Sequence, residues 1–426
     1  MRIEPLNKPI NHEFSELSSD KSISHRCAIF SLLSDQKSII KNYLEAEDTL
    51  NSLKIIKSLG AIVEKKGDTY EITPPSSISS PNRVLECGNS GTAMRIFMGL
   101  LAGNEGFFVL SGDRYLNERP MKRVGDPLTK VGAKIDGREN GNKAPIAIRG
   151  SKLKHFEYES KIASAQVKTA LILAGLCANG CKFGEPELSR DHSEKMLQGM
   201  GAGVKTDGLN LTIEPLNGKK LKPLEITVPN DPSSCFFYAV AAAIIPGSKV
   251  KIKNILLNKT RIEAFKVLEK MGAKISYQTT SSQYEEIGDI CVEHGELNAI
   301  EVSQNISWLI DEAPALAIAF ACANGTSRLI NAKELRVKEC DRIAVTVAAL
   351  KRCGIEAREL KDGFEITGSK SPKMATIDSH GDHRIAMSFA ILGLKCGMDI
   401  EKSEFIATSF PKFSQFLKEL GARVED

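Results

Sequence analysis

The 426 residues are 42% hydrophobic and 26% charged, the make-up of a globular protein with chain enough for two large lobes or two to three average domains. A formal net charge of +4, 6% aromatics and a single tryptophan (Trp308) give no basic, stacking surface, so nucleic-acid binding is not expected. The start Met1-Arg2-Ile3-Glu4-Pro5 has no signal-peptide pattern, the apolar run Ala313 to Ala323 is far short of a membrane span, and the ten cysteines contain no Cys-x-x-Cys. A cytoplasmic protein is expected, with reduced thiols, no membrane association and no metal or disulfide framework.

In chain order, two helix patterns alternate. Outer, charged helices stop at Gly60, Gly132, Gly201, Gly272, Gly354 and Gly421, a recurrence of roughly 70 residues that marks an internal repeat. A glycine at each stop fits the left-handed residue just past a helix end. Between them lie inner, alanine-rich helices that open near Ser22, Ser90, Ser164, Ser233, Asp311 and Asp382. These are apolar nearly all round and are expected to be buried. Strand-like runs follow each helix, such as Gly106-Phe107-Phe108-Val109-Leu110 after an inner helix, and the hairpin pattern around Asp207-Gly208 after an outer one.

Each unit therefore reads β-α-β-α-β-β, and six units fill the chain. The sixth is cut short after Gly421, and the segment Arg2 to Leu6 is the strand available to complete it. That closure predicts an α/β (α+β) protein of two similar lobes, each of three repeats around buried central helices. Residues 19–229 form the N-terminal lobe, and residues 1–18 plus 230–426 form a discontinuous C-terminal lobe. A six-unit solenoid is disfavoured, because helices apolar on every side need cover from every direction.

The inner helix starts concentrate anion-binding chemistry. They read Asp20-Lys21-Ser22-Ile23-Ser24-His25-Arg26, Gly88-Asn89-Ser90-Gly91-Thr92-Ala93-Met94-Arg95, Ser164-Ala165-Gln166-Val167-Lys168, Asp231-Pro232-Ser233-Ser234, Asp311-Glu312-Ala313-Pro314 and Asp382-His383-Arg384. Free N–H groups and a partial positive charge make a helix start attractive to anions, and a basic residue in the first turn adds grip on phosphate or carboxylate. Any one such start reads first as an N-cap beside a solvated cation; four basic ones at equivalent repeat positions point to a ligand. Two more polar segments precede outer helices: Gly112–Pro120, and Leu335-Arg336-Val337-Lys338-Glu339-Cys340-Asp341-Arg342. If the latter is helical, Lys338 and Arg342 lie four apart on one face. So many cations call for a multiply anionic substrate, with Asp311 and Glu339 as candidates for proton transfer.

Taken together, these motifs resemble the signatures of 5-enolpyruvylshikimate-3-phosphate synthases, in the family's order and over the whole chain. The resemblance implies the enolpyruvyl transferase fold, an inside-out α/β barrel in each lobe. It implies that phosphoenolpyruvate and shikimate 3-phosphate are the substrates and that no cofactor is needed. It places Lys21, Ser22, Arg26, Ser164, Ala165, Gln166, Lys338 and Asp311 on shikimate 3-phosphate, with Arg190 as a further contact to its phosphate. It places Lys21, Gly91, Arg119, Gln166, Arg342 and Arg384 on phosphoenolpyruvate. Asp311, Glu339 and Lys21 would be catalytic: Asp311 takes the 5-hydroxyl proton and Glu339 handles the methylene proton.

The resemblance also implies sensitivity to glyphosate, through Gly91, and a monomer is expected. The chain departs from some members at Thr408, where they carry a lysine, with Lys412 nearby, and also at Ile96 and Ala165. The sister family, the UDP-N-acetylglucosamine enolpyruvyl transferases, carries a reactive cysteine in the loop matching Gly112–Pro120; this loop has none.

Overall fold

The computed structural model describes residues 1–281 and 284–425. It divides into two compact units, Ser19–Val228 and Met1–Ser18 with Pro229–Asp426. The repeat count put the second change of unit one residue later, at 229/230.

Among the described residues the strands form six four-stranded sheets, three per unit, all wired alike. One sheet of the N-terminal unit runs Leu85–Glu86, Gly106–Ser111, Lys143–Gly150, Lys134–Gly137 in spatial order. The first pair is parallel and the other two are antiparallel. A helix between the first two strands carries the chain back to the start of the sheet, which is why they are parallel.

Two sheets take a strand from far along the chain. Glu225–Thr227 pairs in parallel with Ser38–Lys41, and Asn11–Phe14 pairs in parallel with Lys249–Leu256. The sixth sheet is completed by Arg2–Ile3, antiparallel to both Met398–Glu401 and Val424–Glu425. The strand that the sixth repeat lacks thus comes from the N-terminus.

Six inner helices carry the core: α1 (Lys21–Ser31), α2 (Gly91–Ala102), α3 (Ala165–Cys177), α4 (Pro232–Ile244), α5 (Ala313–Ala321) and α6 (His383–Cys396). Every residue of α4 and of α5 is buried. In the discontinuous unit α4, α5 and α6 pack against one another pairwise, so each presents apolar surface in several directions. Small residues let such helices approach closely. A Cβ placed on Gly99 of α2 would lie 2.1 Å from the Ala170 carbonyl of α3.

The six outer-helix stops all sit at positive φ: Gly60 101°, Gly132 104°, Gly201 87°, Gly272 125°, Gly354 72° and Gly421 91°. Among the described residues no helix is long and apolar enough to cross a membrane. The cysteines are free thiols, five buried and five partly exposed.

Candidate active site

In the N-terminal unit the starts of α1, α2 and α3 are tied together by side chains. Asp20 caps α1 by accepting from the Ile23 amide at 2.7 Å, and Ser90 caps α2 through the Ala93 amide at 3.1 Å. His25 of α1 lies between two hydroxyls, with Nδ1 2.8 Å from Ser52 Oγ and Nε2 3.3 Å from Ser90 Oγ. Burial, helped by the charges of Lys21 and Arg26, pushes His25 well below the usual histidine value, so the ring is neutral. Lys21 pairs with Asp48, a buried acid on the outer helix Glu47–Ser58. Sequence reasoning missed Asp48, because nothing in its surroundings marks it as a partner.

Arg26 is buried. Its Nε donates to Ser193 Oγ at 2.8 Å, Nη1 to the Ser22 carbonyl at 3.0 Å and Nη2 to Thr169 Oγ1 at 3.1 Å. Gln166, in the first turn of α3 behind the cap Ser164, has both ends of its amide fixed. Its Oε1 accepts from Arg95 Nη1 at 2.9 Å, and its Nε2 donates to Thr92 Oγ1 at 3.1 Å. Arg95 also donates to the Pro120 carbonyl at 2.9 Å, and Arg119 to the Asn89 carbonyl at 3.2 Å, so the polar turn is fastened to the start of α2. Gly91 leaves room for both arginines.

Lys168 is a correction. Its place in a helix start made it one of the four basic examples, yet it is wholly buried, between Glu185 and Glu194 at 2.7 Å each. It closes the first turn of α3 but points into the protein.

The discontinuous unit holds a second cluster. Asp382 caps α6, accepting from the Arg384 amide at 2.8 Å and the Ile385 amide at 3.4 Å. The same carboxylate receives Arg342 Nε at 2.7 Å, while Arg342 Nη2 donates to Glu339 Oε2 at 2.6 Å. Burial opposes the charge on Arg342, but Asp382, Glu339 and Asp311 outweigh it and hold the guanidinium above its ordinary value. Asp311 Oδ1 stands 3.6 Å from Lys338 Nζ and 3.6 Å from Arg342 Nη1. Burial pushes Lys338 below the ordinary lysine value, against the pull of Asp311. The Arg384 side chain is partly exposed and makes no ion pair among the described residues.

Lys338 and Arg342 do not share a helix. Lys333–Val337 is a short 3-10 turn, Lys338 is extended, and the α-helix begins at Arg342. The reason is local: Asp341 accepts from the Ile343 and Ala344 amides at 3.1 Å each, and so caps the helix after Lys338. The two cations still reach one carboxylate, by a bend in the chain instead of a helical face.

Thr408 is buried; its hydroxyl donates to the Phe405 carbonyl at 2.7 Å and lies 3.4 Å from His383 Nδ1. Lys412 is exposed at the start of the helix Phe413–Glu419. A third polar group surrounds the start of α4: Arg261 Nη2 bonds Asp231 Oδ1 at 2.7 Å and Ser233 Oγ at 3.1 Å, and Ser233 donates to buried Glu312, the neighbour of Asp311.

Neutral donors and cations at helix starts, with carboxylates set among the cations, are equipment for binding oxyanions and moving protons near them. The whole fold agrees with solved enzymes of one kind. Two structures of EPSP synthase from Acinetobacter baumannii superpose with TM-scores of 0.87 and 0.86 at 37% and 36% identity, each covering 100% of this chain and 99% of theirs. The architecture is the enolpyruvyl transferase fold. Residues 7–417 match the family described as EPSP synthase (3-phosphoshikimate 1-carboxyvinyltransferase).

Proteins named 3-phosphoshikimate 1-carboxyvinyltransferase are 76% identical over 426 residues in Campylobacter fetus subsp. fetus (strain 82-40), covering 100% of both chains. In Campylobacter concisus (strain 13826) the identity is 67% over 427 residues, covering 100% of this chain and 99% of the relative. The chain belongs to the EPSP synthase family.

Proposed function

We propose that the two cationic clusters serve the reaction of this family: transfer of the enolpyruvyl group of phosphoenolpyruvate to the 5-hydroxyl of shikimate 3-phosphate, with release of inorganic phosphate. The step belongs to the shikimate pathway, which leads to chorismate and the aromatic amino acids. The 5-hydroxyl oxygen bonds C2 of phosphoenolpyruvate while C3 gains a proton. The resulting tetrahedral intermediate loses that C3 proton as the C2–O bond to phosphate breaks. No electron transfer is involved, and no metal or organic cofactor is invoked.

Lys21, Ser22, Arg26, Ser164, Ala165, Gln166, Arg190, Asp311 and Lys338 are assigned to shikimate 3-phosphate. Lys21, Gly91, Arg119, Gln166, Arg342 and Arg384 are assigned to phosphoenolpyruvate. Asp311 accepts the 5-hydroxyl proton, Glu339 handles the proton on C3, and Lys21 stabilises the reacting oxygens. One observation carries this reading: Asp311 and Glu339 both contact Arg342, at 3.6 Å and 2.6 Å. Two carboxylates on one buried guanidinium can stay close together without sharing a proton, which suits a pair that passes protons to different atoms.

Glyphosate is proposed to compete with phosphoenolpyruvate. The protein is proposed to work as a cytoplasmic monomer, dividing into lobes at the two chain crossings, without nucleic-acid or membrane partners. The sister specificity for UDP-N-acetylglucosamine is disfavoured by the absence of cysteine from Gly112–Pro120. The test is product analysis. Mass spectrometry of a reaction with both substrates should find 5-enolpyruvylshikimate 3-phosphate, and Asp311→Asn or Glu339→Gln should suppress it while calorimetry still detects binding of shikimate 3-phosphate. Variants that keep full turnover would remove these two acids from the mechanism.

A further inference from the structure

We propose that Lys168 is a positioning residue for the shikimate 3-phosphate subsite, clamping the turn that carries Arg190 to the helix start that carries Ser164, Ala165 and Gln166. The proposal rests on the assignment of those residues to that substrate. Lys168 is not itself assigned to the substrate and acts through its neighbours. It is wholly buried, and its three ammonium hydrogens have three acceptors: Glu185 Oε1 at 2.7 Å, Glu194 Oε1 at 2.7 Å and the Ser189 carbonyl at 3.3 Å.

The clamp converges on the residue before Arg190. The Ser189 amide donates to Glu185 Oε1 at 3.1 Å, its hydroxyl donates to Glu185 Oε2 at 2.6 Å, and its carbonyl accepts from Lys168. All three polar groups of Ser189 are thus held by one lysine–glutamate pair, so the chain enters Arg190 on a fixed course. Beyond Arg190, Glu194 anchors the helix His192–Gly199 to the same ammonium. At its other end Lys168 belongs to α3: its amide donates to the Ser164 carbonyl at 3.0 Å, one helical turn back. A single residue therefore fixes the start of α3 with its backbone and the Arg190 turn with its side chain.

Stability alone does not explain this arrangement. Two buried carboxylates share one ammonium, and burial pushes Glu194 above the usual carboxylate value despite Lys168. Taking such groups from water is costly, and well-packed apolar residues of similar volume often do as well. What the ions provide that apolar packing does not is direction. They set the Arg190 turn in one orientation, and a small misplacement of a binding group is felt strongly in substrate binding.

The experiment is steady-state kinetics on Lys168→Met, Arg190→Ala, the double variant and Ser189→Ala, with KM measured separately for each substrate. Lys168→Met and Arg190→Ala are each expected to raise KM for shikimate 3-phosphate about tenfold, leaving KM for phosphoenolpyruvate nearly unchanged. The double variant should be no worse than Arg190→Ala alone, because the clamp acts through that arginine. Ser189→Ala keeps every charge and removes one bond. It should move the same KM by about threefold, and it decides the matter if Lys168→Met does not fold. An Arg190→Ala variant with unchanged KM overturns the assignment of Arg190 to the substrate. An effective Arg190→Ala beside a silent Lys168→Met, or multiplicative effects in the double variant, overturns the clamp. So does a silent Ser189→Ala when Lys168→Met does not fold.

Discussion

Arg342 and Asp382 are joined side on, with Nε 2.7 Å from Oδ2 and Nη2 3.3 Å from Oδ1, and both side chains are buried. Asp382 also caps α6 through the Arg384 amide, so one carboxylate sets the place of both arginines assigned to phosphoenolpyruvate in this unit. Cys340 Sγ lies 3.6 Å from the same carboxylate; burial, reinforced by that charge, pushes the thiol far up and keeps it protonated.

Removing this charge should therefore be felt in one substrate before the other. Asp382→Asn leaves Arg342 buried without its main partner, a change that costs about 3–5 kcal/mol in comparable buried pairs. The variant is expected to melt at lower temperature. Its KM for phosphoenolpyruvate should rise well beyond any rise for shikimate 3-phosphate. Equal losses for both substrates would speak for general loosening of the fold.

Lys338 is expected to set the alkaline limb of the pH profile. Burial pushes it below the ordinary lysine value of 10.5. Between its lowered folded value and 10.5, the unfolded chain holds the extra proton, so the contribution of Lys338 to stability grows as pH rises through that window. Substrate binding behaves oppositely: the cation is lost there, earlier than from an ordinary lysine. KM for shikimate 3-phosphate should climb in that range, and Lys338→Arg should flatten the climb because arginine stays charged. An alkaline limb unmoved by Lys338→Arg would assign the titration to another group.

Two glycines of α2 should answer differently to alanine. At Gly91 a new Cβ would stand 3.0 Å from Arg119 Nη2 and 3.0 Å from Arg95 Nη1, the mobile ends of long side chains. Gly91→Ala is expected to keep its melting temperature, raise KM for phosphoenolpyruvate and weaken inhibition by glyphosate. A glyphosate inhibition constant unaffected by the substitution would count against placing Gly91 in that subsite.

At Gly99 the new Cβ would stand 2.1 Å from the Ala170 carbonyl oxygen and 2.4 Å from Ala170 Cα, which is helix backbone. The two helices would have to part. Overpacking of this kind costs about 1–3 kcal/mol and sometimes more, so Gly99→Ala should show a clear loss in chemical denaturation. A variant as stable as the parent would mean that α2 and α3 separate cheaply.

Much of the fold was legible because the repeat writes the same physical constraint six times. Each outer helix ends on a glycine that the structure places at positive φ, and inner helices such as α4 and α5 are apolar on every face because they are covered all round. The N-terminal strand was legible by subtraction, since the last repeat lacked one. The candidate site showed in residue types, at helix starts where capping and anion binding draw on the same chemistry.

Partnership was not legible. Lys168 and Lys21 look alike in sequence, yet one is buried between two glutamates and the other pairs with Asp48 at partial exposure, a difference made by long-range packing. The helical reading of Lys338 and Arg342 failed because spacing alone does not reveal that Asp341 caps a helix between them.

The most direct measurement is inorganic phosphate released from phosphoenolpyruvate by the purified protein, without an acceptor, with shikimate 3-phosphate, and with UDP-N-acetylglucosamine. Release is expected only with shikimate 3-phosphate, without added metal, and is expected to be blocked by glyphosate. Release with UDP-N-acetylglucosamine and none with shikimate 3-phosphate would contradict the assignment of the substrate.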